Sequence, residues 1–294
     1  MITASDNLRG SAYMLLAMAS FAVGDSILKA VSSELPLSQI LVIRGIFGVV
    51  ILYFACLFTG QLRPIASVLN LPIILRLVGE VVATGLFLTA LFNMPIANAS
   101  AIMQALPLTV SLGAAFFLGE VIGWRRIMAI MVGFVGVILI VQPGLEGFTI
   151  YSVFCLGAVC GTTLRDLATR RLPVSLPSLF VSLVSVAVVV LFGLALSFFQ
   201  TWQPVSVTHV ASLATASVFL VTAFVSIVSA MRIGEVGVVT PYRYSVLLFA
   251  IIIGIFFFDE IPNTLTITGS VIVVASGLYT LYRETRKQTE KELA

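Results

Sequence analysis

Charge is what this sequence is short of. Only 10% of its 294 residues are Asp, Glu, Lys or Arg, while 60% are hydrophobic and the mean hydropathy is +1.14. Soluble domains carry about 25% charged residues. This chain therefore cannot cover a water-facing surface, and lipid must be its main solvent. Histidine is nearly absent: His209 stands alone after "QPVSVT", where it is expected to snorkel at a membrane edge. An intramembrane enzyme would need a Ser/His dyad, a His-rich metal site or paired aspartates. Asp25 and Asp166 are expected near opposite faces, too far apart to share a proton, so no catalytic residue is assigned. No Gly-Lys dipeptide occurs, which excludes a phosphate-cradling Walker loop and with it an ATP-driven pump. The three cysteines, Cys56, Cys155 and Cys160, lie in apolar runs without metal-ligand spacing or an even count for a disulfide framework, and are read as packing. Nothing here asks for a cofactor, a metal or a nucleic-acid partner. The partners expected are the lipid bilayer and a small-molecule substrate.

What is there is apolar runs, ten of them, recurring roughly every 28 residues and each near the ~20 residues that cross the hydrocarbon core. They fall at about 10–31, 36–58, 71–92, 97–118, 124–142, 149–168, 175–198, 209–231, 236–258 and 264–282. The first run ends without a small-residue cleavage site and reads as an uncleaved span. Each connection holds a turn signal, such as "SELPLS", "NMPIAN" or "DEIPNT", and is too short for a soluble domain. The last residues, "RETRKQTEKELA", read as solvated helix fraying into disorder.

Lysine and arginine bias sets the orientation. With a cytoplasmic N-terminus, the inner side receives Arg9, Arg63, Arg76, Arg125, Arg126, Arg165, Arg170, Arg171, Arg232, Arg283, Arg286, Lys287 and Lys291, thirteen of the sixteen basic residues. The outer side receives only Lys29. Both termini are expected in the cytoplasm.

Two halves of the chain echo each other. "ELPLSQ" (34–39) matches "RLPVSL" (171–176), which also aligns Gly24 with Gly161. "FFLGEVIGW" (116–124) matches "FFFDEIPNT" (256–264) and aligns Glu120 with Glu260. The organisation expected is an all-α polytopic membrane protein: a cytoplasmic N-terminus (1–9), a five-span repeat at 10–142, a second at 149–282 and a charged cytoplasmic tail at 283–294. Because five is odd, the second copy enters the membrane upside down. Inverted repeats supply two equivalent conformations around a midplane site, which is the architecture of a carrier.

Seven ionisable residues sit within or at the edge of spans: Asp25, Lys29, Arg44, Glu80, Arg165, Asp166 and Arg243. Each costs about 2.5–3.5 kcal/mol or more at the bilayer centre unless paired or wetted. Asp25 and Lys29, one turn apart, are expected to bridge each other. Arg165 and Asp166 are neighbours that face different directions, so each is expected to need another partner. Glu80 and Arg243 both lie ~10–14 Å from the cytoplasmic side, and Arg44 is comparably deep from the outer side. Glu80 and Arg243 are placed either to form a static ion pair or to line a wet cavity. In the second case Arg243 binds an anionic or heteroaromatic group, and Glu80 holds it or carries a proton.

Arg243 stands in "VVTPYRYSVL" with Tyr242, Tyr244 and Thr240. Guanidinium and phenol faces stack on planar rings. Pro241 frees a backbone carbonyl, tolerable beside a cavity and not in lipid. Span four carries a counterpart in "NASAIMQALPLT", with Asn98, Gln104 and Pro107. The substrate-facing set expected is Arg243, Tyr242, Tyr244, Thr240, Glu80, Gln104, Asn98 and Arg44, with helix breaks at Pro107 and Pro241. Gly85, Gly157, Gly161 and Gly237 are read as packing residues.

An arginine in span two ("LVIRGIFG"), "FFLGE" before span five and "GFVGVILIVQPG" within it resemble the EamA family of the drug/metabolite transporter superfamily, along nearly the whole chain. "TPYRYSVLLFAIIIGIFFFDEIPN" resembles a bacterial subgroup that includes S-adenosylmethionine uptake carriers, and riboflavin permeases share the family. The resemblance implies a central substrate cavity, proton- or counter-substrate-driven carriage and an inner-membrane location. It also implies uptake of a metabolite with a heteroaromatic ring and a ribose or ribityl arm. Val181 stands where a second copy of Arg44 would fall, so any role of Arg44 is one-sided. An exporter of amino acids or drug-like metabolites has the same fold. A structural or assembly protein would leave Arg243 and Glu80 without a purpose.

Overall fold

The computed structural model describes residues 4–68, 70–119, 123–144, 148–173, 175–234 and 236–292, and all regular structure among them is helical. The first repeat holds α1 (Ala4–Val31), α2 (Leu37–Phe58), α3 (Leu71–Asn93), α4 (Ile96–Met103), α5 (Leu106–Leu118) and α6 (Trp124–Val141). The second holds α7 (Ile150–Thr169), α8 (Ser178–Leu196), α9 (Val207–Ile233), α10 (Val236–Val239), α11 (Ser245–Phe258) and α12 (Thr264–Glu292). In span four α4 continues into α5. In span nine α10 passes through a 3-10 turn, Thr240–Tyr244, into α11. Among the described residues nine segments are long and apolar enough to cross a membrane, and Ile127–Val141 of α6 is a shorter apolar helix. The run at 283–292, expected to fray, continues α12 as helix.

Local chemistry sets the helix ends. Asn70 caps α3 by accepting the Ile73 N–H at 3.1 Å, with Pro72 in the first turn. Ser206 and His209 form a reciprocal capping box on α9. His209 Nδ1 accepts the Ser206 N–H at 3.3 Å, which leaves Nε2–H to meet Glu34 Oε2 at 3.0 Å. The expectation that His209 only snorkels is corrected: a cap and a carboxylate hold it.

The repeats are visible in the backbone. Gly119 closes α5 at φ 72° and Asp259, 140 positions later, closes α11 at φ 53°, both in the left-handed region. Phe116 and Phe117 before the first cap and Phe256 and Phe257 before the second are all exposed, in lipid-facing positions. Helix packing obeys the same exchange. The two most extensive pairs are α3 with α7 and α1 with α9, which swap when the halves swap. The pairs α6 with α12 and α2 with α8 each map onto themselves.

Lipid tails give no hydrophobic drive between helices, so close backbone packing must hold the bundle. Where α3 crosses α7, a Cβ on Gly79 would lie 2.7 Å from the Gly161 carbonyl oxygen, and one on Gly161 would lie 2.8 Å from the Ala83 nitrogen. Gly24, the repeat counterpart of Gly161, meets the Ala216 carbonyl of α9 at the matching crossing. Gly85 against the Phe192 ring and Gly157 against Leu86 are packing sites too. Glu120 and the surroundings of Gly237 lie outside the described residues. The main apolar core joins both repeats, from Leu28 and Ile40 through Leu88, Ile96 and Ile102 to Leu213 and Leu247.

Candidate functional site

Two interrupted spans frame the interior. α4 stops at Met103, Gln104 and Ala105 form a turn, and α5 begins with Pro107 in its first turn. Lacking an N–H, Pro107 leaves the Met103 carbonyl without its helical donor. Span nine tightens to a 3-10 turn over Thr240–Tyr244, with Pro241 at its start. A mid-helix 3-10 stretch commonly marks a functional hinge. Ala105 and Tyr244, which precede α5 and α11, share the same backbone angles, φ −67° and ψ −15°. α4 packs directly on α11, while the 3-10 turn itself packs on α1 and α12.

Buried polar atoms without a partner among the described residues include Thr240 Oγ1, Tyr244 Oη and Ser245 Oγ at the span-nine interruption and Asn98 Oδ1 in α4, besides atoms of Ser38, Arg76, Ser185 and Thr266 elsewhere. Each costs about 1–3 kcal/mol if nothing bonds to it. Gln104 is buried as well. Tyr242 is exposed. Tyr244 is turned instead onto α12, where its hydroxyl occupies the space a side chain on Gly277 would need.

The intramembrane charges sort into paired and unpaired sets, and the pairs differ from those expected. Glu80 does not bridge Arg243. It accepts from Arg165 at 3.4 Å across the α3–α7 crossing and lies 3.9 Å from Arg76 on its own helix. The glycine contact at Gly79–Gly161 brings α7 close enough for Arg165 to reach it. Arg165 also meets its neighbour Asp166 at 3.0 Å, although adjacent residues on a helix diverge, because the long Arg165 side chain folds back. Lys29 does not bridge Asp25. Its Nζ lies 2.6 Å from Glu260 Oε1 and 2.6 Å from the Met94 carbonyl. Glu260 Oε2 accepts the Ile96 N–H at 2.8 Å, serving a donor that the start of α4 leaves open.

Those contacts form a clamp on one face of the bundle. Other bonds between the repeats join it there: Gln39 with Gln203 in both directions (2.8 and 3.0 Å), Gln200 with the Ser38 N–H (2.9 Å), and Gln142 with Asn263 (3.0 Å). Lys29 corresponds in the second repeat to Asp166, a side chain of opposite sign that is engaged by Arg165. The two matching repeat positions are therefore engaged by different partners.

The unpaired set is Asp25, Arg44 and Arg243. No side chain of the three has a hydrogen-bond or ion-pair partner among the described residues. Arg243 is exposed by area and lies in the 3-10 turn of span nine, which packs on α1 and α12. Asp25 and Arg44 are half-buried and within electrostatic reach of each other. Arg44 also reaches Glu80. Arg76, Glu80, Arg165 and Asp166 form one charged cluster across the α3–α7 crossing, between the repeats. Sequence reasoning missed Ser245 and the pairing of Glu80 with Arg165.

Two repeats with interrupted helices in matching spans are the architecture of a carrier among multi-pass membrane proteins. The chain belongs to the EamA-like transporter family, whose model matches residues 8–142 and again 149–282. It is similar to an S-adenosylmethionine uptake transporter of Rickettsia prowazekii, 24% identical with 97% of this chain and 96% of the relative covered. The pseudopaline exporter CntI of Pseudomonas aeruginosa is 25% identical, covering 89% and 92%. The riboflavin transporter of Vibrio cholerae is 24% identical, covering 98% and 98%. A solved crystal structure shares the fold with a TM-score of 0.64 at 16% identity, over 94% of this chain and 96% of its own.

Proposed function

We propose that this EamA-type transporter works by alternating access, taking up a heteroaromatic metabolite with a ribosyl or ribityl arm, S-adenosylmethionine or riboflavin, across the bacterial inner membrane. The observation that carries the reading is Arg243: a cation in an interrupted span, exposed and with no side-chain partner among the described residues. A guanidinium left bare inside a bundle needs a visiting anionic or planar group. In this reading Thr240, Ser245, Asn98 and Gln104 offer the substrate polar atoms from spans four and nine, and Tyr242 an aromatic face. Proton or counter-substrate coupling runs through the carboxylates Glu80 and Asp166. Both termini face the cytoplasm, in keeping with the basic residues on their side. The pseudopaline exporter among its relatives supports a second reading, export by the same machinery.

The test is uptake of labelled S-adenosylmethionine and riboflavin into proteoliposomes holding the wild type, Arg243→Ala or Arg243→Lys. We expect at least about tenfold loss in Arg243→Ala, the equivalent of one charge-assisted contact. Arg243→Lys should recover part of it. Wild-type vesicles that carry neither compound, in either direction, would overturn the proposal.

A further inference from the structure

α6 and α12, the spans that close the two repeats, touch backbone to backbone. A Cβ on Gly136 would lie 2.8 Å from the Gly269 carbonyl oxygen, and one on Gly269 2.5 Å from that of Gly136. Gly133 meets Ser276 next. Toward the start of α6 this contact gives way to a groove of about 420 Å³, lined by Trp124, Arg125, Met128 and Val132 of α6 and by Ser276 and Tyr279 of α12. Its chemistry changes along its length. Met128 and Val132, exposed one turn apart, make it apolar further in. At the mouth the Arg125 guanidinium lies over the Trp124 ring, 5.4 Å from its centroid. No carboxylate pairs with Arg125 among the described residues. α6 is also the span that falls short. Its apolar stretch, Ile127–Val141, is about 22 Å long at 1.5 Å per residue, against ~30 Å of hydrocarbon. A short span thins the bilayer around it, which brings lipid head groups down to the polar residues at its end.

We propose that this groove binds an anionic phospholipid, its phosphate on Arg125 and an acyl chain along Met128 and Val132. The site lies apart from the substrate-facing spans and holds whatever compound the carrier moves. A guanidinium offers phosphate two parallel N–H donors, and the indole beneath it fixes its plane. Trp124 and Tyr279 are the amphipathic rings that settle at head-group level. A zwitterionic head group carries an ammonium beside its phosphate, which the guanidinium repels, so a lipid of net negative charge is favoured. Arg126, next in the sequence, adds to the positive field. The site is one-sided: 140 positions on, Thr264 and Leu265 stand in the places of Trp124 and Arg125, so the opposite end of the helix pair has neither indole nor cation. A second copy of the chain docking through the same two helices is a poorer occupant. Neither α6 nor the apolar part of α12, Thr264–Tyr282, carries a carboxylate to meet Arg125.

The experiment is native mass spectrometry of the purified chain with phosphatidylglycerol and phosphatidylcholine of identical acyl chains. Wild type should hold phosphatidylglycerol at least about fivefold more tightly, the worth of one basic side chain at an anionic surface. Arg125→Gln should bring that ratio close to one, and Trp124→Leu should lower it about twofold by loosening the guanidinium. Arg63→Gln, which removes an exposed cation of the loop after α2, should leave the ratio unchanged. If Arg125→Gln does not fold, phosphatidylglycerol with a photoreactive acyl chain is cross-linked to the wild type, and the label should fall within 124–132 or 276–279. A wild-type ratio of one, a ratio that survives Arg125→Gln, label confined to other spans, or a dimer whose formation expels the lipid overturns the inference.

Discussion

The Nζ of Lys29 lies 2.6 Å from Oε1 of Glu260, so an ion pair ties the first span to the loop after the ninth. The same carboxylate holds the Ile96 N–H with its other oxygen. This double duty makes the pair directional. Lys29→Met should cost about 1–3 kcal/mol, the range for a charged hydrogen bond. Reversing the pair with Lys29→Glu and Glu260→Lys should recover less than half of that, because a lysine at 260 offers Ile96 no acceptor and puts positive charge at the start of α4. Thermal unfolding of the purified variants measures this. Full recovery in the double variant would show that the Ile96 contact contributes nothing.

Glu80 is bound to Arg165 and not to Arg243, and coupling energies distinguish the two pairings. Glu80→Gln should destabilise by about 1–3 kcal/mol, since it removes the carboxylate shared by Arg76 and Arg165 and leaves Arg165 to Asp166 alone. In a double-mutant cycle, Glu80→Gln with Arg165→Gln should show coupling of about 1 kcal/mol or more. Glu80→Gln with Arg243→Gln should be additive within about 0.5 kcal/mol. The check is thermal stability of each variant in one detergent.

The crossing of α3 and α7 should tolerate nothing larger than glycine. Gly79→Val would drive its side chain into the Gly161 carbonyl and the Arg165 nitrogen, both backbone atoms at 2.7 Å from a Cβ. We expect a loss of about 3 kcal/mol or failure to fold, at the upper end of overpacking costs. It should also disturb the Glu80–Arg165 contact. Gly60→Ala, at a turn where a Cβ meets nothing, is the control for added volume, with only the cost of its positive φ. Size-exclusion profiles and thermal melts compare them.

The matched helix ends at Gly119 and Asp259 predict opposite responses. Asp259→Gly relieves a non-glycine residue at φ 53° and should be neutral or stabilising by up to about 1 kcal/mol. Gly119→Val forces a branched residue to φ 72° and should cost about 1–2 kcal/mol. A melting comparison in which both variants fall equally would contradict the repeat equivalence of these ends.

The spans were legible because lipid imposes a simple rule: a run of apolar residues must be helical and long enough. Breaks such as Asn70–Pro72 and Gly119 mark where it stops. The repeats were legible for a related reason, since "FFLGE" and "FFFDE" end homologous helices with the same left-handed cap. The partners of the charges were not legible. Lys29 has Asp25 one turn away and reaches across to Glu260, 231 positions along the chain, while Glu80 takes Arg165.

The sequence by itself determined the solvent, the succession of apolar helices, nine of them long enough to span among the described residues, the doubling and the placing of charge inside apolar runs, because each of these depends on composition and local pattern. Only the tertiary structure decided which charges neutralise each other and which stay bare. An ion pair depends on a few ångströms of distance between helices. That distance is set by where glycines such as Gly79 and Gly161 let two backbones touch, which no helix carries within itself.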